Sequence, residues 1–163
     1  MEAIITAATV MAMYLNVASQ NGGKYAYNAD FENGRVATIE VLENNNEYLS
    51  QKLQQRFSYD NAGRLLSKEV LKFDNISRKY TPVRRYDYDR DALSTTVSMS
   101  RWDAEAGGFG KAEQMTQYNM VSTNVMSVAS YSIDKETDKK VLSNKMLVMI
   151  PQEDLLLAEN TNL

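Results

Sequence analysis

The chain has 163 residues, a formal charge of −3 and 24% charged side chains, enough length for one domain with a real core. Neither sign of charge is in excess enough to steer it to nucleic acid or an anionic membrane. Histidine and cysteine are both absent, which removes disulfides, thiol nucleophiles, thiolate or imidazole zinc sites and the Ser-His-Asp triad.

Residues 1–20 differ in kind from the rest. Ile4, Ile5, Val10, Met11, Met13, Tyr14, Leu15 and Val17 stand among Ala and Thr with no charge after Glu2, and Val17-Ala18-Ser19 has the small-residue spacing of a signal-peptidase site. A basic start is missing, so the pattern predicts an export leader with a trimmed or mis-started beginning. An N-terminal core helix or a retained anchor are the alternatives, although about fifteen apolar positions is short for a membrane span. The predicted division is therefore a leader over 1–20 and a β-hairpin repeat domain over 21–163.

Gln20-Asn21-Gly22-Gly23 is a polar linker. Arg35 to Leu42 predicts a strand with Ala37, Ile39 and Val41 on one face, and Glu43 to Glu47 a turn. Leu53, Gln55, Phe57 and Tyr59 then alternate with Lys52, Gln54, Arg56 and Ser58, the period of a half-buried antiparallel strand. Asp60-Asn61-Ala62-Gly63 supplies a reversal, because Asp and Asn side chains bond nearby N–H groups and Gly takes positive φ without a Cβ clash. Leu65 to Phe73 alternates again and completes a hairpin.

Asp74 to Ser77 marks the next reversal, and the return strand runs through Pro82 to Tyr88. Pro82 cannot donate a ladder hydrogen bond, so an edge, a bulge or a strand start is expected there. Leu93, Thr95, Val97 and Met99 alternate with serines and threonines, Ala104 to Gly110 predicts a loop, and Val125 to Ile133 faces Val141 to Ile150 across Asp134 to Asp138. Pro151 to Leu157 predicts a short terminal helix, with proline in its first turn and carboxylates near its positive end.

Four stretches share a beat. Tyr25-Ala26-Tyr27-Asn28, Phe57-Ser58-Tyr59-Asp60, Tyr86-Asp87-Tyr88-Asp89 and Tyr118-Asn119-Met120-Val121 lie 32, 29 and 32 residues apart, a period that signals repeat architecture. The expectation is an all-β fold, an antiparallel meander of about eight strands built from four hairpin repeats. Such a sheet would curl, fold into a layered sheet, or pair with another subunit to cover its apolar face.

Phe57 to Leu66 resembles the YD repeat of bacterial surface and toxin-shell proteins, a β-hairpin unit reading roughly aromatic-x-Tyr-Asp-x-x-Gly-Arg-Leu. Over Lys24 to Met149 the chain is similar to a family of small secreted gut-bacterial proteins of unknown function. That resemblance implies the fold and export, and it brings no catalytic residue and no cofactor.

Candidate chemistry is sparse. Two-carboxylate glycoside hydrolysis remains open, with Asp60, Asp87, Asp89, Asp91, Asp103, Glu105 and Glu113 available, yet the aspartates recur where turn-capping explains them. Asp87 to Asp91 imitates the start of a calcium loop, but Ala92 and Ser98 stand where Gly and Glu are needed, so a solvated turn is expected and no metal site. The run Arg78 to Tyr86 has the basic and aromatic character of surfaces that meet phosphates or acidic glycans, and equally that of a charged outer strand face. Trp102, beside Gly107-Gly108, reads either as a stacking platform or as the closure of a β core. The predicted function is an exported, non-catalytic binding module for a glycan or surface partner, with Tyr86, Tyr88 and Trp102 as ligand contacts. The alternative is a structural module that self-associates through sheet edges or faces. Neither nucleic acid nor stable membrane insertion after leader removal is expected.

Overall fold

The computed structural model describes residues 23–149; the predicted leader and terminal helix lie outside the described residues. Among the described residues nine strands form one open antiparallel sheet in strict chain order. They are β1 (Tyr25–Glu32), β2 (Arg35–Asn44), β3 (Leu49–Tyr59), β4 (Leu65–Asp74), β5 (Lys79–Arg90), β6 (Ser94–Asp103), β7 (Gly108–Ser122), β8 (Val125–Ile133) and β9 (Lys140–Met149). Each polar reversal is too short to do anything but return the chain beside itself, so a meander results. The expected fold class is the one found, with nine strands. Gly108 to Gly110, expected as loop, belongs to β7.

Cross-strand partners share a face, so register divides the side chains into two sets. The front face carries Ile39, Val41, Phe57, Lys68, Tyr86 and Met99 through the pairs Val41–Leu53, Phe57–Lys68, Lys68–Tyr86 and Tyr86–Met99. The back face carries Ser67, Glu69, Leu71, Arg85, Asp87 and Met115. Val36, Ile39, Phe57 and Leu65 form the principal core on the front face, flanked by Tyr27, Ala29, Tyr59 and Tyr88. Further along, the buried side chains change sides. Met115, Ser127 and Ala129 are buried on the back face, and every side chain of β9 but Val148 is exposed.

Bulges explain where the core departs from simple alternation. Between β1 and β2 the register shifts so that Ala37 has no partner and Phe31 faces Val36. Val36, fully buried, therefore joins Ile39 in the core, whereas Ala37, expected there, sits at the bulge. The same device recurs in the second hairpin, where Tyr59 pairs with Leu65 and Leu66 is skipped. Leu65 is returned to the Phe57 face and buried, and Leu66 stays exposed. Pro82 faces Leu71 where β4 and β5 shift register, and pairing to β6 begins only at Arg84. A bulge is one of the three places where proline was expected.

The four hairpins are present, but their alignment differs from the one the aromatic residues suggest. The residue that enters each tip and pairs across it is Glu32, Asp60, Asp91 or Ser122, so the spacings are 28, 31 and 31 residues. Copies one, three and four slide by four, two and one positions from the sequence alignment. Slips of two or four keep every aromatic ring on its own face, so alternation cannot detect them.

A second repeat lies at the opposite end of the sheet. Asp74, Asp103 and Asp134, 29 and 31 residues apart, each accept two backbone N–H bonds from the residues two and three positions on. Four positions after each Asp the chain adopts positive φ, at Arg78 (54°), Gly107 (65°) and Asp138 (54°). An aspartate cap followed by a left-handed residue closes all three of these turns.

Candidate functional site

Strand β5 sorts its charges by face. Arg84, Tyr86, Tyr88 and Arg90 alternate along the front, and Arg85, Asp87 and Asp89 along the back. The back set neutralises itself: Arg85 bonds Asp87 at 2.8 Å and stands 3.9 Å from Glu69 of β4. The front set does not. Among the described residues, no carboxylate lies within ion-pair distance of Lys68, Arg84 or Arg90.

Lys68 of β4 sits opposite Tyr86, its ammonium 4.6 Å from the ring centroid. It is half-buried, and burial, followed by the nearby Arg84 charge, holds its pKa below the usual lysine value. Arg84, exposed, faces Arg101 of β6 directly, and like charges in that position repel. Arg101 is satisfied by Glu113 at 2.9 Å, which Lys135 also binds at 2.7 Å. Arg90 lies over the Tyr88 ring at 5.7 Å and donates through Nη1 to the Leu65 carbonyl, while its Nη2 is buried without a partner. Burial raises the Tyr88 hydroxyl pKa above the usual phenol value.

Tyr86 and Tyr88 thus share one patch, and Trp102 does not join it. Alternation from Arg101 puts Trp102 on the back face, where its ring meets Phe109 edge-on at 5.1 Å across the β6–β7 ladder. The basic run Arg78 to Tyr86 is likewise divided: Arg78 closes a turn, Arg84 and Tyr86 face front, and Arg85 faces back.

The carboxylate candidates have structural work. Asp60 accepts the Arg64 N–H at 2.8 Å and pairs with its Nε at 2.8 Å; Asp91 caps Leu93 and Ser94; Asp103 caps Glu105 and Ala106. The Arg64 backbone and side-chain bonds hold the Asp60 pKa below the usual range, the Leu93 N–H does so for Asp91, and the Lys135 bond does so for Glu113. Asp87 and Asp89 lie on a strand, where a turn was expected. A cleft of about 260 Å³ opens beside the second hairpin, lined by Glu32, Asn33, Arg35, Ala37, Phe57, Ser58 and Tyr59, with Glu32 its sole carboxylate. Among the described residues no group of three or more acidic side chains could hold a metal.

The fold defines a single-sheet β-meander protein, and solved structures share it. A protein of unknown function from Bacteroides fragilis matches with a TM-score of 0.69 at 20% identity, covering 80% of this chain and 96% of its own. A DUF3836 family protein from Parabacteroides distasonis (TM-score 0.50, 22% identity) covers 53% of this chain and 81% of its own. Another from Bacteroides vulgatus (TM-score 0.51, 17% identity) covers 53% and 88%. No curated protein matches the chain. Residues 1–121 match DUF3836, a family of unknown function, and the chain belongs to that family.

Proposed function

We propose that this protein is an exported, non-catalytic interaction module that binds a glycan or a surface partner through its front face. The observation that carries the reading is the β5 stripe Arg84, Tyr86, Tyr88 and Arg90, whose half-buried rings are flanked by cations with no carboxylate partner among the described residues. Rings held at fixed spacing offer apolar platforms to sugar faces or partner side chains at low entropic cost. The lowered pKa values of Asp60, Asp91 and Glu113 also favour binding over glycosidase chemistry, since a general acid needs the opposite shift.

The leader pattern of residues 1–20 supports export, and intact-mass analysis of the protein secreted by its own host tests it. A product still beginning near Met1 would end that part of the proposal. The Asp60 to Arg64 bonds and the left-handed Gly63 (φ 85°) support kinship of the second hairpin with the YD unit. Neither nucleic acid nor a membrane is a partner in this reading.

Screening the full chain against a glycan array and host-surface extracts tests binding itself. Tyr86→Ser should abolish a detected interaction and Trp102→Ala should leave it intact; the reverse result moves the site to the back face. A second reading, self-assembly, is favoured by β9, where Val141, Leu142, Leu147 and Met149 are 53–74% exposed along an edge that no other described strand pairs. Light scattering separates the two, because a monomer at working concentration removes the assembly reading.

A further inference from the structure

The unpaired charge on the front face narrows the ligand. Three cations, Lys68, Arg84 and Arg90, occupy the centre of this face in a protein whose overall charge is −3. Of the carboxylates of the same two strands, Glu69, Asp87 and Asp89 stand on the other side, and Asp74, six residues from Lys68 at the end of β4, is taken up in capping its turn. Alternation keeps Glu69, Asp87 and Asp89 from the front face, so side-chain motion within a face cannot bring them to these cations.

The arrangement costs the fold something. Among the described residues, Lys68 keeps its ammonium half-buried against the Tyr86 ring with no carboxylate in reach, and Arg84 faces a second arginine. Cations held near one another without counter-charge repel, and an oxyanion placed between them turns that repulsion into charge-assisted hydrogen bonds. Lys68 and Arg84 are diagonal neighbours, one beside and one two positions before Tyr86. A point charge and a planar fork therefore converge next to an aromatic platform.

Resting on the binding reading above, we infer that the ligand is an anionic saccharide, its carboxylate or sulfate held by Lys68 and Arg84 and its ring laid on Tyr86. The bound anion would draw the Lys68 pKa back up, since an opposite charge favours the ammonium form. Arg85, one residue away but on the back face and already paired with Asp87, takes no part.

Isothermal titration of the full chain with three size-matched probes tests this: a heparin-derived sulfated hexasaccharide, a hexagalacturonate and neutral maltohexaose. One of the two anionic probes should bind at least about tenfold more tightly than the neutral one, and weaken as salt rises from about 0.05 to 0.5 M. Which of them binds separates sulfate from carboxylate. Lys68→Met and Arg84→Gln should each weaken binding by about tenfold or more, and Arg85→Gln should leave it unchanged. Lys68→Met should also keep or raise the melting temperature, which a purely structural lysine would not do. Equal binding of the neutral probe overturns the anion assignment and leaves the binding module standing. Anion binding that survives both front-face substitutions, or equal binding of polyaspartate, overturns this site or its saccharide ligand. No binding by any probe or by the array removes both readings.

Discussion

The first four strands and the last three are built from the same hairpins but hold themselves together differently. Strands β1–β4 bury Val36, Ile39, Val41, Phe57, Leu65 and Leu71, and add Arg35, which donates to the Asp60 carbonyl and lies 5.8 Å from the Tyr59 ring. Strands β7–β9 bury Met115, Ser127 and Ala129, and β9 buries nothing. With strands joined only to their neighbours, each depends on the contacts beside it, as in other repeat arrays. Order in the far strands is then carried mainly by backbone ladders, and stability should decline from the first hairpins toward β9.

The sharpest way to break this contrast is through the core. Leu65→Ala should cost about 3 kcal/mol in chemical denaturation, because it opens a cavity beneath Val36 and Phe57. Met115→Ala should cost less than half as much, and equal losses would mean the two regions are equally dependent on burial. Next is the second tip: Gly63→Ala should cost about 1–3 kcal/mol, since φ is +85° and a Cβ would stand 2.9 Å from Arg35 Nη2. Gly34→Ala, at φ +74° with open space around it, should cost less, which separates backbone strain from the arginine clash.

Hydrogen exchange reads the gradient without mutation. Amides of β9 should exchange about 100-fold faster than those of β3, reflecting local opening of an unburied edge. Matched protection would refute the decline. The smallest effect is that of acid. Asp60, Asp74, Asp91 and Asp134, at turns along the chain, have folded pKa values below the unfolded ones through hydrogen bonds to Arg64, Ser77, Leu93 and Thr137 respectively. Their contribution is complete above the unfolded carboxylate value of about 4 and is lost as pH falls through the lower folded values. The melting temperature should be flat from about pH 7 to 5 and drop below 4.

Strands and reversals were legible because Leu53 to Tyr59 and Leu93 to Met99 alternate cleanly and polar residues punctuate them. The bulges were not. Nothing in Arg35-Val36-Ala37-Thr38 tells which residue is skipped, yet that choice puts Val36 and not Ala37 into the core. The turns closed by Arg78 and Asp138 place ordinary side chains in left-handed backbone, where glycine would have been the visible signal. The front-face patch could have been found: counting by twos from Arg84 to Arg90 already puts Arg84, Tyr86, Tyr88 and Arg90 on one face and both aspartates on the other. What concealed it was reading Asp87 to Asp91 as a turn, which cuts the alternation short before the end of β5. Trp102, attractive for being the single tryptophan, stands on the other face by the same counting.

The odd number of strands among the described residues has a consequence for how two copies of this sheet can meet. Strands β1 and β9 run the same way, so a translated neighbour laid edge to edge would join them in parallel, with slanted bonds in a sheet that is otherwise antiparallel throughout. Antiparallel continuation is open only to like edges, β9 against β9 or β1 against β1, each about a two-fold axis normal to the sheet. Strand parity thus makes a symmetric pair the natural first product of any edge contact, ahead of a directional filament.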